Sequence, residues 1–262
     1  MASHSTGWGF RYNVARATTA AMRGATEEAA EILDHLDALE RPFRALDHER
    51  SVGRAWVCAS QGAVGEAIGI LTAAAEKCAE KRQFAAEVFC LQTAAQFGDR
   101  TQADRLAELA TIVDGPRAAL AARFAAALRD QDAHALSVLT EDFEQIGDLV
   151  AAADVAAHAA IFYRQEARRG SMLTCSKRAD ELARECGVVT PATEQAAERI
   201  PLTPREREVV MLLAAGVTSS RVIAERLSLS VRTVEGHIYR AMSKTDTKTR
   251  EELAKLFKRR RP

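Results

Sequence analysis

The chain has 262 residues, 47% of them apolar but only 5% aromatic, with 36 basic and 36 acidic side chains. That length fits one large domain or two smaller ones, and an apolar fraction led by alanine favours closely packed helices over sheets. No apolar run approaches the ~18 residues of a membrane-spanning helix, and the stretch after Met1 has no long apolar segment of the signal-peptide kind.

The even charge balance hides a division. Residues 200–262 hold 14 Lys/Arg and 7 Asp/Glu, a net of +7, so the rest of the chain holds 22 and 29, a net of −7. A basic C-terminal end suggests a polyanionic partner; a solvated charged face is the plainer alternative. The five cysteines, Cys58, Cys78, Cys90, Cys175 and Cys186, are odd in number and form no C-x-x-C. Free buried thiols in a reducing compartment are expected, and with them a cytoplasmic location.

In chain order, residues 1–187 predict ten helices, near 9–22, 25–39, 47–60, 63–81, 83–97, 101–113, 116–129, 132–146, 149–168 and 171–186. Helix stops separate them: Gly24, Pro42, Gly62, Gly98, the pair Gly115–Pro116, Gly147 and Gly170. A repeat runs through this region. "EAAEIL", "EAIGIL" and "DRLAEL" end at Leu33, Leu71 and Leu109, each 38 residues apart. "HALSVL" and "KRADEL" follow, ending at Leu139 and Leu182, at spacings of 30 and 43. One unit is therefore an antiparallel helix pair that covers its neighbour's apolar face. The pattern resembles degenerate tetratricopeptide-like repeats; an irregular helical bundle is the alternative. Residues 188–201, with Pro191 and Pro201 bracketing a polar segment, read as a linker that can hold a helical turn.

Residues 202–262 predict four short helices. Thr203, Pro204 and Glu206 spell an N-cap, a first-position proline and a capping box. A second helix covers Ser220–Leu227, and Ser230 caps a third. In that third helix Val231, Val234, Ile238 and Met242 fall on one face, with Arg232, Thr233, Glu235, Gly236, Tyr239, Arg240 and Ser243 opposite. A last helix starts at Thr249 and carries Leu253, Leu256 and Phe257.

The run "LTPREREVVMLLAAG" followed by "IAERLSLSVRTVEGHIYRAMSK" strongly resembles the LuxR-type helix-turn-helix domain of bacterial transcription regulators, over about Leu202–Leu256. The closing Arg-x-Glu-Leu, Arg250–Leu253, falls in the family's order. Two departures stand out: "GVTSSRVIA" is one residue longer than usual, and Thr245–Asp246 replace Leu-Gly.

The resemblance implies an all-α protein: helix-pair repeats over 1–187, a linker over 188–201 and a four-helix DNA-binding domain over 202–262. It implies double-stranded DNA as partner, base contacts from Glu235, Gly236 and Tyr239, and a homodimer on a two-fold operator held by Leu253, Leu256 and Phe257. Contact with RNA polymerase follows from the same family, and an effector or protein partner would act through the repeats. Phosphate contacts are expected from Arg232, Thr233, His237, Arg240 and Lys244, which lie where a backbone should run. The tail Lys258–Arg261 adds salt-sensitive attraction.

The sequence holds no G-x-x-x-x-G-K-[ST] loop of the kind that the large LuxR-family ATPase regulators carry. The helical part resembles the repeats of those regulators with the ATPase absent, as in a short version or a remnant starting within the repeats. No catalytic constellation, metal-ligand cluster or cofactor motif emerges; His134 and His158 read as structural, and no enzyme is expected. Two alternatives remain: a repeat scaffold with a vestigial DNA-binding module, and a promoter reader like sigma region four.

Overall fold

A computed structural model describes residues 7–38, 46–197, 202–245 and 247–258. Linker residues 198–201, Asp246 and residues 259–262 of the basic tail lie outside the described residues. Among the described residues there are fifteen α-helices and no strand. No helix there is long and apolar enough to cross a membrane.

Ten helices build the body: α1 (Gly7–Met22), α2 (Thr26–Asp37), α3 (Asp47–Ser60), α4 (Val64–Glu80), α5 (Phe84–Gln96), α6 (Ala103–Ala110), α7 (Pro116–Asp130), α8 (Ala133–Gln145), α9 (Leu149–Gln165) and α10 (Arg169–Cys186). The five repeat leucines fall on α2, α4, α6, α8 and α10, and none is more than 1% exposed, so they hold one register. Most consecutive helices pack on one another, with two departures: α3 lies on α1 more than on α2, and α5 lies on α4 and α7 more than on α6. The 38-residue period lapses just beyond that point.

Local chemistry sets the breaks. Asp132 accepts the N–H groups of His134 and Ala135 to start α8, and Asp148 accepts that of Ala151 to start α9. Pro116 opens α7, where its missing N–H costs nothing. Gly62, which ends α3, has φ +86, and a Cβ there would lie 2.4 Å from Met211 Cβ. Both the backbone and the close approach therefore demand glycine. Cys58, Cys78, Cys90 and Cys175 are buried free thiols, and Cys186 is half-buried.

Helix α9 is apolar around its whole circumference, which places it at the centre: every residue from Ala151 to Tyr163 is buried. Its two polar members, Asp154 and His158, lie one turn apart and share a partner. Asp154 accepts hydrogen bonds from Gln96 Nε2 at 2.8 Å and from the Thr190 hydroxyl, while His158 Nε2 lies 3.0 Å from the Gln96 carbonyl. Burial pushes the Asp154 carboxyl up to about 7, against the bonds from Thr190 and Gln96. Burial pushes His158 down to about 4, with Arg100 adding to it.

Part of the expected linker is packed structure. Helix α11 (Pro191–Ala197) lies on α9, with Ala192 and Ala196 in the same core. Thr190 and Thr193 cap one another reciprocally: each backbone N–H meets the other's hydroxyl, at 3.0 and 3.2 Å. The segment is polar enough to read as a link, and only two small residues, one turn apart, touch the core.

The C-terminal unit comprises α12 (Pro204–Ala214), α13 (Ser220–Arg226), α14 (Val231–Thr245) and α15 (Arg250–Lys258) around its own core. Its first helix docks against the turn between α3 and α4.

Candidate nucleic-acid interface

The interface is built outward from one carboxylate. Thr203 Oγ1 accepts the Glu206 N–H at 3.3 Å, and Glu206 Oε2 accepts the Thr203 N–H at 2.8 Å, a capping box that starts α12. Glu206 is only 2% exposed and also reaches α14: Lys244 Nζ lies 2.7 Å from Oε2 and Arg240 Nε 3.4 Å from Oε1. Burial raises its pKa, but the bonds from Lys244 and Thr203 outweigh burial and hold it below the usual range. One side chain thus fixes the start of α12 and the far half of α14.

At the near end of α14 the Thr233 N–H donates to Ser230 Oγ at 3.1 Å, and the two hydroxyls lie 2.7 Å apart. Val234, Ile238 and Ala241 are buried against the core. Val231, expected on that inner face, is 41% exposed, and Met242 is half-buried. The buried stripe ends in small Ala241, which lets α14 approach α12 closely.

The opposite face is open. Arg232, Glu235 and Tyr239 are exposed, Tyr239 to 75%. Arg232 makes no ion pair among the described residues. Glu235 sits 3.9 Å from Arg250 Nη2, a loose pair, while Arg250 Nη1 donates to Ser220 Oγ at 3.0 Å and ties α15 to α13. Among the described residues outside its own turn, a Cβ added at Gly236 would meet nothing nearer than the Arg240 guanidinium at 3.8 Å. Packing within the chain therefore does not require glycine there.

The five expected phosphate contacts divide in two. Arg232 and Thr233 stand exposed at the start of α14. His237, Arg240 and Lys244 run along one side toward Glu206. Arg240 Nη2 lies 3.0 Å from His237 Nδ1. A guanidinium only donates, so Nδ1 accepts and the imidazole is neutral. Burial, then Arg240, pushes the His237 pKa down. Lys244 thus has an internal partner that the sequence did not reveal.

The apolar residues of α15 also find partners inside the chain. Leu253 and Phe257, expected at a dimer contact, are 0% and 4% exposed in the core of their own unit, and Leu256 is half-buried. They close the four-helix core, so as packed here Leu253 and Phe257 present no surface to a second copy. Thr245 takes over the junction where a leucine was expected to be missed: its hydroxyl donates to the Ala241 carbonyl at 2.8 Å and lies 2.9 Å from that of Thr247.

A second carboxylate, two residues past Glu206, faces the body. Glu208 is 4% exposed, and its Oε1 accepts the N–H of Gly65, 143 residues earlier, at the start of α4. That helix has no side-chain cap of its own at Ala63. Arg205 Nη1 braces Glu208 at 2.7 Å, Arg207 Nη2 donates to Glu194 of α11 at 3.0 Å, and Arg226 Nε lies 3.5 Å from Glu66. In the sequence, Glu206 reads as the capping-box residue and Glu208 has no role assigned; Glu208 gains one only because α12 lies between α14 and the body. The one local hint is Gly65, a glycine at the start of a helix.

Residues 200–257 match the family model described as "Bacterial regulatory proteins, luxR family". A 58-residue stretch is 43% identical to the tetrathionate response regulatory protein TtrR of Salmonella typhimurium, covering 22% of this chain and 28% of that protein. The chain thus spans less than a third of the length of that relative. No solved structure gives a significant match. The C-terminal unit is a luxR-family helix-turn-helix domain, and residues 1–199 lie outside the family match.

Proposed function

We propose that the chain is a cytoplasmic DNA-binding transcriptional regulator of bacterial type that reads the major groove with α14. One observation carries the reading: a 15-residue helix keeps Arg232, Glu235 and Tyr239 exposed on one side while Val234, Ile238 and Ala241 anchor the other. A groove-reading helix needs a polar front and a fixed back. Docking on the body leaves that front open.

In this reading Glu235 accepts from a cytosine amino group, Tyr239 donates to a base or phosphate, and Gly236 lets the duplex approach the backbone. Arg232 and Thr233 take phosphates at the start of the helix, and His237, Arg240 and Lys244 line the adjoining strand. Lys244 and Arg240 exchange Glu206 for phosphate only in part, which makes Arg232 the cleanest electrostatic contact. Two copies on a two-fold operator meet over the outer face of α15, where Glu251 and Lys255 are exposed beside Leu256. The tetratricopeptide-like body serves as the platform for an effector or protein partner, and the bound regulator contacts RNA polymerase. No catalytic role or cofactor is assigned.

Fluorescence anisotropy with genomic DNA fragments at several salt concentrations tests this. Binding should weaken steeply with salt, and Arg232→Ala should weaken it for all sequences while lowering the logarithmic salt slope by about 1. Glu235→Ala should shift the selected motif at one position. Binding that ignores salt, or no binding, would leave the scaffold reading ahead.

A further inference from the structure

Where α12 docks on the body it closes one side of a cleft of about 210 Å³. The walls come from α4, α9 and α11 of the body and from the first turns of α12. Phe97, Ile161 and Phe162 give it an apolar floor, and Arg100, Arg205 and Arg207 face it against one carboxylate, Glu208. The volume is below the ~300 Å³ at which drug-sized and cofactor pockets begin, so the complement is a small molecule.

Its chemistry can be read from three features. The exposed Arg100 guanidinium stacks 5.0 Å over the Phe162 ring, which holds a cation directly above the apolar floor. Arg205, half-exposed, faces the same space, and the start of α4 beside it already holds one carboxylate, that of Glu208. The third feature is His158, a buried side chain lining the cleft at 6% exposure. Its Nε2 donates to the Gln96 carbonyl, so Nδ1 is an acceptor, and it makes no hydrogen bond among the described residues. An acceptor left open on a residue that lines the cleft is one that a ligand hydroxyl or N–H would meet.

We propose that this cleft binds a small organic anion: a carboxylate between Arg100 and Arg205, an apolar body over Phe97 and Phe162, and a hydroxyl or N–H donor to His158. Because body and DNA-binding domain each supply part of the wall, the ligand bridges them and stabilises their docked arrangement. The site stands on its own geometry; its consequence for DNA binding rests on the regulator reading above.

The test is calorimetric titration of the full chain with 4-hydroxybenzoate as probe and benzoate, which lacks the donor, as control. The probe should bind one-to-one, and benzoate about fivefold to tenfold more weakly. Arg100→Gln should weaken both by about tenfold, and the Arg100→Gln/Arg205→Gln pair more. Ile68→Trp, which fills the cleft, should abolish binding; melting of each unliganded variant checks that it folds. In the wild type, NMR signals of the His158 ring should move with the probe and much less with benzoate, a readout that needs no variant. Absent saturable binding, unaltered affinity in Arg100→Gln, or an unmoved His158 ring would each overturn the site. DNA affinity measured with and without the probe tests the bridge: no difference removes the coupling. A chain that binds the probe but never binds DNA loses the regulator reading and keeps the site.

Discussion

Helices α9 and α14 are close in length, 17 and 15 residues, and each carries polar groups among apolar ones. In α9 those groups point inward and are bonded, Asp154 to Gln96 and Thr190, His158 to Gln96. In α14 three residues are buried and the polar side faces water. A polar group inside a helical core must be satisfied by the protein and so organises packing. A polar face left outside costs no desolvation and stays available to a partner. The contrast separates a region shaped by its own interior from one shaped for something else.

The largest effect that sharpens this contrast comes from two adjacent residues of α14. Ile238→Ala removes a side chain 2% exposed and should destabilise the C-terminal unit by about 2–5 kcal/mol, read as a lower urea midpoint. Tyr239→Ala, next to it at 75% exposure, should leave that midpoint within about 0.5 kcal/mol and still reduce DNA affinity. Equal effects of the two on stability would mean that α14 packs on both sides.

In α9 the comparison is sharpened by pH. Asp154 has a folded pKa of about 7 against an ordinary 3.8. Between those values the folded chain holds a proton that the unfolded chain has lost, so its contribution falls as pH rises. His158, at about 4 against 6.5, is the reverse: the unfolded chain gains a proton as pH falls through that window, and stability drops with it. The two slopes oppose one another between pH 4 and 6.5 and largely cancel. Asp154→Asn should uncover the histidine slope, a gain on the order of 3 kcal/mol from pH 4 to 6.5. His158→Gln should uncover the opposite slope, a decline from pH 4 to 7. Urea midpoints across pH, each minus wild type, read both; a flat difference curve for either variant removes that residue from the pair.

What the sequence made legible follows from how local each signal is. Helix starts at Thr203, Ser230 and Pro116 depend on residues within one turn, and the structure has them as read. The leucine repeat was legible because burial repeats with the helix pair. Helix α11 was hidden because a seven-residue helix needs only Ala192 and Ala196 to dock. In the interface, the exposed polar face was legible from helical periodicity. The roles of Lys244 and Glu208 were not: each depends on a partner, Glu206 or Gly65, brought near only by tertiary packing. The resemblance implied a dimer seam at Leu253 and Phe257, and periodicity offers no check on it, because an apolar stripe on a terminal helix looks the same whether a second chain or its own core covers it.

The two glutamates of α12 offer a smaller test of the same division. Glu206→Ala removes a cap and the anchor of Lys244, and should destabilise the C-terminal unit by about 2 kcal/mol. Glu208→Ala leaves that unit's own core untouched and removes the capping carboxylate of α4. It should cost about 1 kcal/mol and split thermal unfolding into two transitions as the units uncouple. If instead Glu206→Ala splits the transition and Glu208→Ala does not, the two carboxylates have been assigned to the wrong sides.

The smallest effect is the most discriminating. Glycine in a helix interior costs about 1 kcal/mol relative to alanine, and among the described residues outside its own turn the nearest atom to a Cβ at Gly236 is on the Arg240 guanidinium, at 3.8 Å. Gly236→Ala should therefore raise the melting temperature slightly. If α14 enters a groove, the same methyl group stands between its backbone and the duplex, and DNA affinity should fall while stability rises. Opposite signs in one variant cannot come from damaged folding. A gain in stability with unchanged affinity would move the duplex away from Gly236 and leave Arg232 and Tyr239 as the readers.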